Sequence, residues 1–203
     1  MIKIDNTEVI GWKSAIRGMR NPLNSWEKSD TIYLSNECRL GENDYSLMKS
    51  LVRAGTDHAK FMRMITVYCD ITAPLYWWKE FDTYKVGTVS NSCSTMHSLH
   101  TRDLKLDDFS YEKLDLLSKR LLENIIITIN DFRAEYIENK KKDDWYQMVQ
   151  LLPSSYNQRR TVELNYQVLA NIYSSRINHK LDEWLIFCEW IKTLPHSDLI
   201  TIW

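Results

Sequence analysis

The alternation from Lys60 to Ile71, KFMRMITVYCDI, limits the possible folds of this chain more than any other segment. Phe61, Ile65, Val67, Cys69 and Ile71 fall on one face with Arg63 among them, and Met62, Met64, Thr66, Tyr68 and Asp70 fall on the other. Both faces are largely apolar, which predicts an interior strand covered on both sides. Arg63 on such a strand needs a partner, because an unpaired buried charge is expensive; a structural ion pair or a ligand contact would serve. Pro74 suits the first turn of a helix running to about Tyr84. Residues 86–101 are then polar and irregular, with more hydroxyl and amide side chains than a connection requires.

The flanking chain reads as strands followed by long helices. Residues 2–12 alternate weakly, as a first strand would, and a helical pattern from Trp12 to Arg20 stops at Asn21-Pro22, since the residue before proline avoids the α region. Thr31–Leu34 has the character of a short strand. Asp44 can cap a helix that reaches about Ala54 and ends at Gly55. Asp107 and Asp108 open a long helical region in which Leu122, Ile125, Ile126, Ile129, Phe132 and Tyr136 form an apolar stripe. Lys140–Lys142 with Asp143 and Asp144 reads as a solvated turn. Pro153 breaks the chain, a helix is expected from about Arg160 to Ser175, and a last one carries Leu181, Trp184, Leu185, Cys188 and Ile191 before Pro195. With no repeat, low-complexity tract or linker, residues 1–203 are expected to form a single α+β domain.

Composition narrows the function. A hydrophobic content of 44% supplies a core, and a net charge of −1 gives no field for a nucleic acid polymer. No apolar segment approaches the roughly 20 residues that cross a bilayer, and the start lacks a signal peptide's pattern. Cys38, Cys69, Cys93 and Cys188 are widely spaced, as in a reduced cytoplasmic protein with mostly packed thiols. Eight Trp and eleven Tyr serve either as amphipathic core edges or as flat surfaces for subunits and ring-shaped ligands.

Five glycines form no phosphate-cradling loop, and no zinc spacing is present; His97 and His100 lack a third ligand, so no metal site is expected. Cys93, between Ser92 and Ser94, would need a lowered pKa to act as a nucleophile, and a packed or merely spectating thiol is the simpler reading. On the helix expected after Pro153, Asn165 and Arg176 are eleven apart and would share a face, with Asn171 beside the face of Gln167. Amides and a guanidinium among apolar residues form either a buried structural network or a reader of a polar ligand; Arg suits phosphate or carboxylate.

Residues 55–97 and 151–184 together resemble the flavin-dependent (alternative) thymidylate synthases. In that family a His near a helix end leads into a strand, a helix and the motif R-H-R-x-x-S-x-N-E-x-S-x-R; Leu-Pro and then Asn, Arg, Asn and Arg follow near the C-terminus. His58 stands in the first position, the strand leads to Ala73-Pro74, and Leu152-Pro153 precedes Asn165, Asn171 and Arg176. The chain departs from the pattern elsewhere. Thr83-Tyr84-Lys85 replaces R-H-R and, after one inserted residue, Asn91-Ser92-Cys93-Ser94-Thr95-Met96 stands opposite N-E-x-S-x-R. Glu80 lies where the family has a nucleotide-contacting Gln, while Gln167 and Val149 replace arginines. Each lost Arg removes a charge-assisted phosphate contact, and Lys85, Arg63 and Arg159 are candidate substitutes.

The resemblance implies an α+β fold with a central, mostly antiparallel sheet and long helices, like the thymidylate synthase-complementing proteins. It implies FAD, held by His58, Lys85, Asn91, Asn165 and Asn171, and a pyrimidine deoxynucleotide resembling dUMP, held by Glu80, Ser92, Ser94 and Arg176. Ser94 and Arg176 would be catalytic, in transfer of a one-carbon unit from methylenetetrahydrofolate to C5 with NADPH as reductant. A hydroxymethylated product is a variant of the same expectation. The family assembles as homotetramers. The alternative is a non-catalytic homologue of the same fold that binds a nucleotide or a protein partner.

Overall fold

A computed structural model of the chain describes residues 1–34 and 38–202. Strand β1 (Lys3–Ile10) passes through Gly11 into helix α1 (Trp12–Arg20). Gly11 sits at φ 96°, and a Cβ there would lie 2.0 Å from the Met64 carbonyl oxygen, so only glycine fits this junction. Short strands β2 (Ile32–Tyr33) and β3 (Cys38–Arg39) pair antiparallel ahead of α2 (Glu42–Arg53). A 3₁₀ turn at Lys60–Met64 precedes β4 (Thr66–Pro74), α3 (Leu75–Phe81), β5 (Val89–Ser92) and α4 (Thr95–Ser98). The long α5 (Leu116–Asn139) and α6 (Lys142–Leu151) lead to β6 (Asn157–Asn165), α7 (Tyr166–Arg176), α8 (Asp182–Lys192) and α9 (Asp198–Thr201). The main sheet is four-stranded and antiparallel, in the order β1-β4-β6-β5. An α+β fold with a central antiparallel sheet and long helices is therefore present.

The chain folds into two compact units. One comprises Met1–Lys3, Ile71–Thr83 and Asn91–Thr161. Its core joins the buried face of α5 (Leu122, Ile126, Ile129) to Met148 of α6 and to Leu99, Leu104 and Phe109. Asp115 caps α5 by accepting from the Ser118 N–H at 2.8 Å, and Lys140, left-handed at φ 57°, turns the chain into α6. The other unit comprises Ile4–Asp70, Tyr84–Ser90 and the chain from Val162. Its centre is α7, whose Tyr166, Val168, Leu169, Ala170 and Ile172 are buried. A buried ion pair also belongs to this unit: Arg20 Nε donates to Asp44 Oδ1 at 2.7 Å.

Several local expectations are corrected. The strand begins at Thr66, because Phe61 and Met62 are both buried, and burying adjacent side chains suits a 3₁₀ turn better than a pleated strand. Arg63 is exposed and needs no buried partner. Helix α2 is capped from outside, by Asp30 accepting the N–H groups of Asn43 and Asp44; Asp44 itself turns inward to Arg20. The segment expected as helix from Arg160 divides at Asn165 into strand and helix. Buried Gln158, Val162 and Leu164 follow the strand period, whereas the apolar set from Val162 to Ile172 satisfies the helical one as well. Residues 86–101 contain β5 and α4, and the charged run at 140–144 opens α6.

Candidate functional site

Helix α7 carries polar groups at its start (Asn165 and Gln167), at its midpoint (Asn171) and at its end (Arg176). At its start Asn165 is extended (φ −129°, ψ 166°), and its Oδ1 accepts the Val168 N–H at 3.0 Å. Asn165 is thus a helix cap and not a helical residue, so it shares no helix face with Arg176; the eleven residues of α7 separate the two by about 16 Å. Gln167 is only 5% exposed; its Nε2 donates to Asn171 Oδ1 at 3.2 Å. Its Oε1 is buried with no hydrogen-bond partner among the described residues, and the same holds for Thr88 Oγ1. Gly87, at φ 74°, lets the chain before Thr88 close on the helix start; a Cβ there would meet Asn165 Nδ2 at 2.9 Å and Val168 Cγ2 at 3.1 Å. A buried acceptor left unmade costs about 1–3 kcal/mol. The amide cluster thus leaves hydrogen-bonding capacity unused at the buried start of α7.

At the far end of α7, Arg176 Nε donates to the Tyr84 hydroxyl at 2.8 Å. The guanidinium lies 4.5 Å from the ring centroid of buried Trp184 and 5.6 Å from that of Tyr84. These rings fix the plane of the guanidinium while contributing cation–π attraction. Residues 84 and 184 are the part of this end that sequence reasoning missed, because they come from segments far from Arg176 in the chain. The one available signal was the substitution of Tyr84 inside R-H-R.

His58 is exposed on the turn after α2 and lines a groove of about 1020 Å³ with Met19, Leu47, Leu51, Phe61 and Met64. Lys85 is exposed on its loop in the same unit.

The remaining expected residues belong to the first unit. Glu80 is half-buried on α3, and Asn91 and Ser92 are exposed on β5, an edge strand of the sheet. The next residues are pinned to β6: the Cys93 N–H donates to the Arg159 carbonyl, and Gln158 Nε2 donates to the Cys93 carbonyl, each at 2.9 Å. Ser94 caps α4, its Oγ accepting the His97 N–H at 3.3 Å. Cys93 is exposed and not packed, because β5 is an edge with little to cover it.

Cys93, Ser98, Arg102 and Arg159 line a cavity of about 610 Å³ that also meets Tyr156 and the carboxylates of Asp107, Asp108 and Glu112. Arg102 grips Asp108 through two bonds of 2.7 and 2.5 Å. Burial pushes the Asp108 carboxyl up, but Arg102 and the Lys105 N–H outweigh it and leave the group below its ordinary range. Burial foremost raises the Tyr156 phenol, which keeps it protonated and able to donate. Val149 is half-buried against the α5–α6 core. Among the described residues no three His, Cys, Asp or Glu side chains gather as metal ligands, and no helix is long and apolar enough to cross a membrane.

No protein-family model matches the chain, and no curated protein sequence matches it. Solved structures do, and they define the class of fold: that of the flavin-dependent thymidylate synthases. One is flavin-dependent thymidylate synthase ThyX from Helicobacter pylori complexed with FAD and dUMP, at a TM-score of 0.70 and 16% identity over 98% of each chain. A second structure of ThyX from the same organism, also with FAD and dUMP, gives a TM-score of 0.67 and 14% identity over 98% of this chain and 96% of that one. Nearly the whole chain thus shares the fold while most of its side chains differ.

Proposed function

We propose that this protein is a diverged flavin-dependent thymidylate synthase-like enzyme that takes FAD and a pyrimidine deoxynucleotide. The observation that carries the proposal is the buried, unpartnered Oε1 of Gln167 beside Asn171 and the capping Asn165. On this reading the N–H of a ligand's imide, such as that of a flavin ring or of a pyrimidine, would satisfy that oxygen. Support also comes from the solved ThyX structures of the same fold, which hold FAD and dUMP. On this reading Asn165, Gln167 and Asn171 orient the flavin ring, with His58, Lys85 and Asn91 as further flavin contacts. Arg176, fixed by Tyr84 and Trp184, receives an anionic group, and Glu80, Ser92 and Ser94 serve the nucleotide. Arg159 supplies a cation that the altered motif no longer provides.

When bound, the flavin would supply the hydride that completes a methyl group at C5, with the C5 proton leaving, methylenetetrahydrofolate giving the carbon and NADPH re-reducing the cofactor. The protein's share is to bind, align and exclude water. We place the enzyme in the cytoplasm as a homotetramer.

A second reading is favoured by Val149, apolar and half-buried against the α5–α6 core, and by Ser94 in a cap: a non-catalytic homologue that binds a nucleotide or a protein partner. Titration with FAD separates the two. The enzyme reading expects a shifted visible flavin spectrum and tritium release from C5-labelled dUMP. Replacing Gln167 by Leu should abolish FAD uptake and leave the apo-protein's thermal midpoint unchanged or slightly higher, because an unmet buried acceptor is removed. A folded protein that leaves the FAD spectrum unchanged would overturn the flavin assignment, and one that takes up FAD without tritium release would overturn dUMP methylation.

A further inference from the structure

We infer that Arg160, acting through Gln158, is a positioning residue for the nucleotide: it holds the segment that carries Ser92 and Ser94 at a set distance from Glu80. The inference rests on the nucleotide half of the reading above and extends it to side chains that lie behind the proposed contacts. All of these residues belong to the first unit. Successive side chains of a strand alternate, so Gln158 and Arg160 share one face of β6 and Arg159 takes the other. Gln158 is buried, and the Arg160 side chain is only 13% exposed.

Arg160 joins two neighbours. Its Nη1 donates to Asp82 Oδ1 at 2.7 Å, and its Nε donates to Gln158 Oε1 at 3.0 Å. The guanidinium lies 4.1 Å from the centroid of the Trp78 ring, and Trp78 Nε1 donates to the Gln158 carbonyl at 2.9 Å, which holds the fork against β6. A guanidinium only donates, so the Gln158 amide must turn its oxygen to Arg160 and its NH2 to the Cys93 carbonyl, met at 2.9 Å. The Cys93 N–H is taken by the Arg159 carbonyl, also at 2.9 Å, so both backbone groups of Cys93 are fixed. Ser92 ends β5 and Ser94 is extended (φ −70°, ψ 118°), and residues two apart on an extended chain project to one side. Ser94 Oγ is an acceptor in its cap, which leaves the hydroxyl proton for a ligand. At the other end of the relay, Asp82 closes α3, its N–H bonding back to the Trp78 and Glu80 carbonyls. One guanidinium therefore ties the helix that carries Glu80 to the loop that carries both serines. Loosening it would misplace the serines for a nucleotide held by Glu80, with no ligand contact removed.

Arg160→Ala strands both Gln158 and Asp82 and can cost the fold, so the decisive change is Gln158→Glu. It keeps the side chain's length and the acceptor for Arg160, and it replaces only the donor to the Cys93 carbonyl. An ion pair with Arg160 offsets the lost bond. Calorimetric titration of the FAD-supplemented protein with dUMP should show affinity falling about tenfold, the scale of one hydrogen bond. Hydrogen exchange of the peptide spanning residues 91–98 should quicken, while the thermal midpoint and FAD uptake are kept. If wild type binds dUMP and Gln158→Glu binds it equally well, the inference is overturned and the nucleotide reading stands. If wild type binds no dUMP, both fall. A midpoint that drops along with the affinity assigns Gln158 to the fold alone and also overturns the inference.

Discussion

Replacing Asp44 by Ala should be among the most damaging single changes in the second unit. Asp44 is 0% exposed and receives Arg20 Nε at 2.7 Å, Ser29 Oγ at 2.7 Å, and Thr31 Oγ1 and N–H at 2.6 and 3.1 Å. The remaining guanidinium nitrogens of Arg20 donate to the carbonyls of Ser25 and Lys28 at 3.2 and 3.1 Å, so the pair ties α1 and α2 to the segment between them. Removing the carboxylate leaves Arg20, 4% exposed, without a counter-charge. Breaking a buried pair from one side costs about 3–5 kcal/mol. For a chain of this size that lowers the thermal midpoint by about 6–20 °C. Replacing both partners together, Arg20→Met with Asp44→Leu, should recover most of the loss, since no unpaired charge remains. Burial raises the Asp44 pKa, but the hydrogen bonds from Thr31, Ser29 and Arg20 together carry it below the ordinary value. The pair's contribution is therefore complete above about pH 4, the unfolded carboxylate's pKa, and is lost as the pH falls through the folded value. Urea denaturation of the single and double variants at pH 7 and in acid measures all of this. A cost below about 1 kcal/mol for Asp44→Ala, less than one ordinary hydrogen bond to a charge, would refute the reasoning.

Asn165→Ala should destabilise the protein by about 0.5–2 kcal/mol through the lost cap, while Asn165→Asp retains the cap; thermal denaturation compares them. His196, left-handed at φ 52°, packs 5.2 Å from the Trp12 ring and 5.1 Å from the Tyr45 ring, and burial lowers its pKa despite Asp198. The unfolded chain therefore takes up a proton near pH 6.5 that the folded chain refuses, and stability should fall as the pH drops below that value. His196→Asn, which tolerates the same backbone, should flatten the decline in thermal midpoints measured from pH 8 to pH 5.

Strand β1 and helices α1, α2 and α8 were legible in the sequence because one period dominates each and Asn21-Pro22, Gly55 or Pro195 stops the helix. The β6–α7 junction was not, since Val162, Leu164, Val168, Leu169 and Ile172 satisfy both periods and only the capping geometry of Asn165 separates them. Strand β5 was hidden because Val89–Ser92 lies exposed at a sheet edge and carries no alternation. The polar ends of α7 were visible as residues, but their arrangement was not. The Arg176–Tyr84–Trp184 cluster depends on tertiary packing, and the unmet oxygen of Gln167 is a property of burial.

Helix α7 also acts as a ruler. Its hydrogen-bonded frame holds the capping Asn165 and the guanidinium of Arg176 at a fixed spacing that cannot shorten. A compact anion can reach one end only. Gln167 and Arg176, nine residues apart, point to opposite sides of the helix at about 100° per residue, so changes at either end would act on separate surfaces.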